Sequence, residues 1–220
     1  MRVFVAGATG ATGVVFAPTA TAAGLDLVLH VRPQSVNKLV DPRASVLDLS
    51  DAAGVQRAMG GCDALVSLVG TMRHRFEAGD TYATADVGTA RQLVAGARAA
   101  NIPRFLLLSA FLSGFPDPYS RAKAASEAIV RESGLAWTIF RPSILVSPPG
   151  AATSAHGRRE APSGVDALGR ALRAVPGLRG LADDARPIPI EVVCRAMVRT
   201  LLSPRDGRVL AGRDIWEIGS

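Results

Sequence analysis

Residues 3–13 read Val-Phe-Val-Ala-Gly-Ala-Thr-Gly-Ala-Thr-Gly, an apolar run that breaks into three glycines spaced three apart. The run predicts a buried strand, and the small residues after it predict a tight turn into a helix. Gly7 can take a positive φ in such a turn, and the missing Cβ atoms let a ligand approach the backbone. A helix start also offers amide donors and a favourable dipole to an anion. The stretch therefore predicts a pyrophosphate site, with an ordinary structural turn as the alternative.

Short apolar runs alternate with helical patterns along the rest of the chain. Strands are predicted at residues 2–6, 26–31, 44–47, 64–69, 105–108 and 136–140. Helices are predicted at residues 11–23, 51–59, 80–100, 120–133 and 190–202, with a last short strand near 208–210 or 215–218. Pro18 predicts a kink or an early break in the first helix, because proline removes a hydrogen bond there. Strands that alternate with helices predict an α/β fold with a doubly wound parallel sheet.

The length of 220 residues suits one domain spanning residues 1–220. Residues 147–185 are rich in Pro, Gly, Ala and Arg and show the least regular pattern. We expect them to form an irregular lid or substrate region before the C-terminal helix, with a short helix near residues 165–174.

The charge balance favours small anionic ligands over nucleic acid. The chain has 25 basic and 19 acidic residues, for a net charge of +6, but the basic residues are scattered. Cys62 and Cys194 are isolated, which indicates neither a metal site nor a disulfide framework and favours a reduced, cytoplasmic location. Glycines interrupt the apolar stretch near the N-terminus, so a signal peptide is not expected. No apolar run approaches the roughly 20 residues that a spanning helix needs, so we expect no stable membrane insertion.

Two polar residues follow predicted strands at the edge where ligands of parallel sheets bind. Arg32 comes 19 residues after Gly13, where NAD-selective enzymes usually place an acid. An arginine there can pair with a 2′-phosphate, which favours NADP, although a surface arginine is the alternative. Asp48 follows the third strand and can either accept from the adenine amino group or cap the helix that begins near residue 51.

A second group of residues has the composition of a catalytic site. Ser109 directly follows the fifth strand, and Tyr119 and Lys123 stand four residues apart, on one face of a predicted helix. A cation beside a phenol favours its ionised form, which makes proton exchange feasible near neutral pH. The alternative is a surface tyrosine beside an unrelated lysine.

These motifs together resemble the short-chain dehydrogenases/reductases. The residues that carry the resemblance are Gly7, Gly10 and Gly13, then Ser109, Tyr119 and Lys123, and the Phe-Arg-Pro sequence at 140–142. More narrowly, the chain resembles the atypical NAD(P)H-binding branch, which includes Tat-interacting-protein-like oxidoreductases and small epimerase-like reductases. The resemblance implies a Rossmann-type sheet and a small-molecule substrate, in a monomer or homodimer.

The resemblance also implies roles for individual residues. The phosphates would be held by Gly7, Thr9, Gly10, Ala11, Thr12 and Gly13. Arg32 would take the 2′-phosphate, Asp48 would lie by the adenine, and Val69 and Gly70 would line the adenosine ribose. Lys123 would hold the nicotinamide ribose, and the backbone after Pro142 would touch the nicotinamide.

Two features depart from the family pattern. Ser109 is followed by alanine, where many members have paired serines, and only nine residues separate it from Tyr119, so Ser113 is a second candidate. Asp86 stands near the place where many members carry an asparagine that supports a water relay to the lysine.

The expected activity is reduction of a ketone, aldehyde or quinone-like carbonyl with NADPH, NAD being a possible substitute. Tyr119 would donate the proton, Ser109 would hydrogen-bond the same oxygen, and Lys123 would favour the phenolate and fix the ribose. Two alternatives stay open at this point. One is a sugar-nucleotide epimerase or dehydratase with the same residues, and the other is a non-catalytic NADPH-binding sensor or assembly module.

Overall fold

The computed structural model describes residues 1–70, 81–111, 113–146 and 179–220. The strands in these ranges are β1 (Arg2–Ala6), β2 (Asp26–Val31), β3 (Ala44–Val46), β4 (Ala64–Ser67), β5 (Arg104–Leu108), β6 (Ala136–Arg141), β7 (Leu145–Val146), β8 (Ile188–Pro189) and β9 (Arg208–Ala211). The α-helices are α1 (Gly13–Ala22), α2 (Ala52–Met59), α3 (Thr89–Ala99), α4 (Pro118–Arg131), α5 (Arg179–Asp184), α6 (Ile190–Leu202) and α7 (Gly212–Gly219). A 3₁₀-helix covers Pro33–Lys38, and a π-helix covers Tyr82–Gly88. Within the described ranges, no helix is long and apolar enough to cross a membrane.

Seven strands form one sheet in the order β3-β2-β1-β4-β5-β6-β9, and every neighbouring pair is parallel. The chain builds outward from β1 to β3 and then returns to the other side of β1 to place β4. The strand order therefore reverses between β1 and β4, which is where open parallel sheets form their ligand crevice. This topology confirms the predicted doubly wound α/β fold.

The two faces of the sheet are buried under different helices. Along β1, Val3 and Val5 belong to one apolar cluster and Phe4 and Ala6 to the other, because successive side chains alternate between faces. The first cluster includes residues of α1 and α6, and the second includes residues of α2 and α3. All four β1 side chains are fully buried, so this strand is central to the core.

The first helix differs from the prediction in its length and continuity. It begins at Gly13 and runs through Pro18 to Ala22, so the expected early break does not occur. The hydroxyl groups of Thr19 and Thr21 each donate to the carbonyl oxygen four residues earlier, at 2.7 and 2.8 Å. Burial of the helix against α6 outweighs the one hydrogen bond that proline cannot donate.

The helix predicted at residues 80–100 is two helices of different type. A π-helix over Tyr82–Gly88 precedes α3, and residue 80 lies outside the described residues. The π-helix begins with a reciprocal cap, in which Thr81 and Thr84 each accept from the other's backbone amide, at 3.1 and 3.0 Å. π-Helical turns are rare and often lie at functional sites, and this one carries the buried Asp86.

The C-terminal part contains one confirmed element and two differences. The strand expected near 208–210 is β9, whereas residues 215–218 are helical and belong to α7. The region expected to be irregular contains α5. The helix predicted near 165–174 lies outside the described residues, as does the rest of 147–178.

Candidate active site

The glycine loop is a tight turn whose shape depends on missing side chains. Gly7 has φ +91°. A Cβ atom there would lie 2.9 Å from the carbonyl carbon of Leu68, the residue that directly follows β4. A Cβ atom at Gly13 would overlap the carbonyl oxygen of Gly7. The Gly10 amide donates to that same oxygen at 3.0 Å. The loop therefore folds back on itself against β4, and any side chain at Gly7 or Gly13 would push it open.

A cleft lies beside this loop, at the carboxyl ends of β1, β2 and β4. Six residues proposed from the sequence for cofactor binding line it: Gly7, Thr9, Gly10, Arg32, Val69 and Gly70. Ala11, Thr12 and Gly13 lie deeper, where the loop enters α1, and are not part of the lining. The structure thus brings the glycine loop, the end of β2 and the end of β4 together around one space.

Sequence reasoning missed several polar residues that line the same cleft, and three of them follow or belong to β2. The 3₁₀-helix after β2 brings Ser35 and Lys38 to the lining that also contains Arg32. Pro33 at the first position of that helix was an available signal for a helix start. His30 is the third; its Nε2 atom lies 3.1 Å from the carbonyl oxygen of Leu47. Burial holds the pKa of His30 below its usual value, while the Leu47 carbonyl acts in the opposite direction.

Asp48 does not act as the cap of α2. Its carboxylate accepts from the Ser50 amide at 2.8 Å, whereas Asp51 caps the helix by accepting from the Gly54 amide at 2.9 Å. Asp48 is exposed and is not among the residues lining the cleft. The Ser50 amide holds the pKa of the Asp48 carboxyl below its usual range.

Tyr119 and Lys123 lie one turn apart at the start of α4. The Asp117 carboxylate caps this helix by accepting from the amides of Tyr119 and Ser120, at 3.0 and 3.1 Å, and Pro118 is the first helical residue. The helix therefore begins two residues earlier than predicted, and the Asp-Pro pair was the signal for this start. The Lys123 Nζ atom lies 5.6 Å from the centre of the Tyr119 ring.

The Lys123 ammonium is held in a buried polar pocket. Its Nζ atom lies 2.7 Å from the Asp86 carboxylate and 3.4 Å from the carbonyl oxygen of Val69, and both charged side chains are almost fully buried. Burial alone disfavours the charged form, yet Tyr119 and Asp86 together hold the pKa of Lys123 above its usual value. A Cβ atom at Gly70 would lie 3.0 Å from Nζ, so the ammonium sits directly against the lining of the cleft.

Ser109 lies in a second polar group that the sequence did not reveal. Its hydroxyl donates to the Glu127 carboxylate at 2.6 Å, and Glu127 is fully buried. Arg141 binds both carboxylate oxygens, at 2.9 and 2.5 Å, and Arg131 binds one of them at 2.9 Å. Burial raises the pKa of the Glu127 carboxyl, but the hydrogen bonds from Arg141 and Ser109 outweigh it and bring the pKa below its usual value. The spacing of Glu127, four residues after Lys123, was the available signal.

The loop after β5 follows the end of β6. The Ser109 amide donates to the carbonyl oxygen of Phe140 at 2.7 Å, and the Phe111 amide donates to that of Pro142 at 2.9 Å. These bonds place the backbone at Pro142 beside the loop that contains Ser109. Ser113, the second candidate, has a buried hydroxyl close enough to Glu127 to help lower the pKa of that carboxyl.

Comparison with known proteins matches most of the chain to one family model. The family model described as NAD(P)H-binding matches residues 7–169 of the 220. No curated protein matches the chain.

Several solved structures share its fold. A nucleoside-diphosphate-sugar epimerase from Pseudomonas aeruginosa is 21% identical over 96% of this chain and 72% of its own, with a TM-score of 0.66. The Bordetella bronchiseptica enzyme WbmH, solved in complex with NAD+, is 18% identical over 93% and 73%, with a TM-score of 0.65. A UDP-glucose 4-epimerase from Thermotoga maritima, solved with UDP-glucose, is 17% identical over 99% and 81%, with a TM-score of 0.66. At such identities these structures show the fold alone. The family match covers most of the chain, and the parallel sheet and the glycine loop agree with it: the chain belongs to the NAD(P)H-binding family, in keeping with the resemblance to the atypical short-chain dehydrogenases/reductases.

Proposed function

We propose that this chain is an NADP(H)-dependent oxidoreductase that reduces a carbonyl group of a small molecule. The observation that carries the proposal is the Tyr119 phenol beside the Lys123 ammonium, which is buried against Gly70 at the cleft. A phenol that has a fixed cation as its neighbour is suited to give and regain a proton. The substrate itself is not specified by these residues.

The residues around the cleft fit a dinucleotide phosphate. The missing Cβ atoms of Gly7 and Gly13 let the loop pack against its own backbone, Gly7 and Gly10 line the cleft, and α1 begins directly after the loop. In this proposal Thr9, Gly10, Ala11 and Thr12 hold the phosphates through the loop and the first turn of the helix. Val69 and Gly70 line the adenosine ribose, the backbone after Pro142 contacts the nicotinamide, and Asp48 stays a proposed neighbour of the adenine.

The reduced nicotinamide, when bound, supplies a hydride to a carbonyl carbon. The chain's part is to supply the proton, which Tyr119 donates to the carbonyl oxygen. Lys123 stabilises the phenolate that remains and binds the nicotinamide ribose through its ammonium. Because the pKa of Lys123 is held above its usual value, the ammonium stays charged while Tyr119 regains its proton from solvent.

The variant Tyr119→Phe tests the proton donor. We expect turnover of NADPH with a carbonyl substrate to fall by about 100-fold or more, while NADPH affinity stays unchanged. Tyr82→Phe is the matched control, because the two rings are 5.7 Å apart and both variants lose one hydroxyl. Equal turnover in Tyr119→Phe and wild type would exclude the proposed role of Tyr119.

Arg32 is proposed to select NADP through the 2′-phosphate, with Ser35 and Lys38 on the same lining. Arginine pairs with a phosphate through two parallel donors, so its loss should weaken NADPH more than NADH. We expect Arg32→Ala to lower NADPH affinity by about tenfold or more and to leave NADH affinity nearly unchanged. Arg98→Ala, on the exposed side of α3, removes the same charge outside the cleft and should affect neither. Equal losses for both cofactors would contradict the assignment.

A sugar-nucleotide epimerase is the second candidate, because solved epimerases share the fold. The same phenol and ammonium would serve such a reaction by taking a proton from a sugar hydroxyl. An epimerase would interconvert two sugar nucleotides without net consumption of NADPH, which nuclear magnetic resonance of the mixture detects. A sensor would bind NADPH and turn over neither class of substrate.

A further inference from the structure

The buried carboxylate of Glu127 is surrounded by donors from three elements. Ser109 reaches it from the end of β5, Arg141 from the end of β6, and Arg131 from the next turn of α4. Glu127 has no exposed surface, whereas the side chains of Arg131 and Arg141 are 35% and 28% exposed. The Glu127 carboxylate thus lies beneath the two arginines, and Arg131 and Arg141 both compensate its negative charge.

The direction of the Ser109 hydrogen bond follows from the charge of its partner. An ionised carboxylate has no hydrogen to donate, so the serine hydroxyl must be the donor. The arginine and serine hydrogen bonds hold the pKa of Glu127 below its usual value, so the carboxylate is ionised near neutral pH. A serine hydroxyl has one hydrogen and two lone pairs. Once the hydrogen is directed to Glu127, only lone pairs remain for any other neighbour of Ser109.

We propose that Glu127 is a positioning residue that turns Ser109 into a hydrogen-bond acceptor within the site. A ligand group that meets Ser109 must then donate a hydrogen bond, as a hydroxyl does and a carbonyl oxygen does not. In the reductase reaction on which this inference rests, Tyr119 alone donates to the reacting oxygen. This differs from the expectation from sequence that Ser109 hydrogen-bonds the same oxygen as a donor. The substrate class it favours is a carbonyl compound that also bears a hydroxyl group.

The helix spacing links this group to the proposed proton donor. Tyr119, Lys123 and Glu127 follow one another at intervals of four residues and therefore lie on one face of α4. Arg131, one turn further on, also binds Glu127 but makes no hydrogen bond to Ser109 among the described contacts. Substitution of Arg131 therefore serves as a control. It removes one hydrogen bond to Glu127 but leaves the carboxylate that accepts from Ser109 in place.

A double-mutant cycle tests whether Glu127 acts through Ser109. We compare kcat and KM for carbonyl reduction in wild type, Glu127→Gln, Ser109→Ala and the double variant, with Arg131→Gln as the control. We expect Glu127→Gln to change kcat by about threefold or more, because the serine hydrogen becomes free to turn, and this change should vanish in the Ser109→Ala background. Arg131→Gln should lower the unfolding midpoint and change kcat less than Glu127→Gln does, because the Ser109 hydrogen keeps its carboxylate acceptor. The same fold-change from Glu127→Gln with and without Ser109 would overturn the proposal.

A second measurement needs no turnover and uses a variant that keeps the arginine pairs. The Glu127 pKa is lowered on folding, so its contribution to stability is complete above its unfolded pKa of about 4.5 and is lost as pH falls below that value. Ser109→Ala removes one donor, which brings the folded pKa of Glu127 closer to the unfolded value. The stability lost between pH 5 and 3 should therefore be smaller in Ser109→Ala than in wild type, as measured by denaturant unfolding between pH 3 and 7. The same acid loss in both proteins would show that Ser109 does not donate to Glu127 and would overturn the proposal, including where Glu127→Gln fails to fold. If wild type binds NADPH but reduces no carbonyl, the proposed reductase function fails, whereas a smaller acid loss in Ser109→Ala still supports the hydrogen-bond direction.

Discussion

The two ends of the site are built in different ways. At the glycine-loop end, the turn depends on backbone shape, with Gly7 at φ +91° and no room for a Cβ atom at Gly13. At the other end, the Lys123 ammonium is held by Asp86 from a π-helix distant in sequence. The first end is encoded in consecutive residues, and the second is assembled by pairing charges across elements. Their responses to substitution should differ accordingly.

The largest expected effect comes from the buried pair. Lys123→Met should lower the free energy of unfolding by about 3–5 kcal/mol, because it leaves the Asp86 carboxylate buried without its cation. Denaturant unfolding at neutral pH measures the loss. Asp86→Asn in the same chain removes the stranded charge, so the double variant should be more stable than Lys123→Met alone.

If the double variant is no more stable than Lys123→Met, the unpaired Asp86 charge is not what lowers the free energy of unfolding in Lys123→Met. The stability loss in Lys123→Met would then come from lost packing of the lysine side chain. Arg104→Met is the control for losing one partner of an ion pair near the surface, since its partner Asp206 is 41% exposed. That variant should cost no more than about 1 kcal/mol, because exposed pairs contribute little.

These differences explain what the sequence could and could not predict. Residues 3–13 carry strand, turn and helix signals in order, so the sheet start and the glycine loop were predictable. The four-residue spacing of Tyr119 and Lys123 was also visible, because one helix sets it. The direct ion pair between Lys123 and Asp86 was not, because the resemblance implied only a water relay to the lysine near Asp86 and the surrounding pattern indicated an ordinary helix. A π-helix differs from an α-helix by one residue per turn, a difference that apolar spacing over two turns does not resolve.

Gly7 in the glycine loop can be compared with another glycine of similar backbone conformation. Gly7 and Gly24 have φ of +91° and +81°, but nothing lies within 4 Å of a Cβ atom at Gly24. Gly24→Ala should therefore cost only about 1–2 kcal/mol for the left-handed backbone. Gly7→Ala should cost more and should also abolish NADPH binding, since its Cβ atom would press on the backbone of Leu68.

Unfolding and NADPH titration of both variants separate these two causes. Retained NADPH binding in Gly7→Ala would show that the loop tolerates opening, and the proposed phosphate site would then lie elsewhere. Equal losses of unfolding free energy in the two variants would show that the positive φ accounts for the whole loss. The contact between a Cβ atom at Gly7 and the Leu68 backbone would then contribute nothing.

The smallest expected effect is a pH dependence that belongs to the glycine-loop end alone, where His30 lines the cleft. Burial lowers the pKa of His30 from its unfolded value of 6.5, so the unfolded chain binds the proton more readily than the folded one. The neutral ring is therefore stabilising above pH 6.5, and that contribution is lost as pH falls from 6.5 towards the lowered pKa. The charged groups near it are Arg32, which also lowers the pKa, and Asp48, which raises it.

We expect wild type to lose about 1 kcal/mol of stability between pH 7.5 and 5.5, and His30→Gln to lose less over the same interval. The pH range separates this effect from that of Glu127, whose acid loss begins only below about 4.5. Denaturant unfolding at half-unit pH steps measures both. If His30→Gln and wild type show parallel profiles above pH 5, the histidine is not buried as a neutral ring. The stability of the glycine-loop end would then depend on backbone shape and not on the protonation of His30.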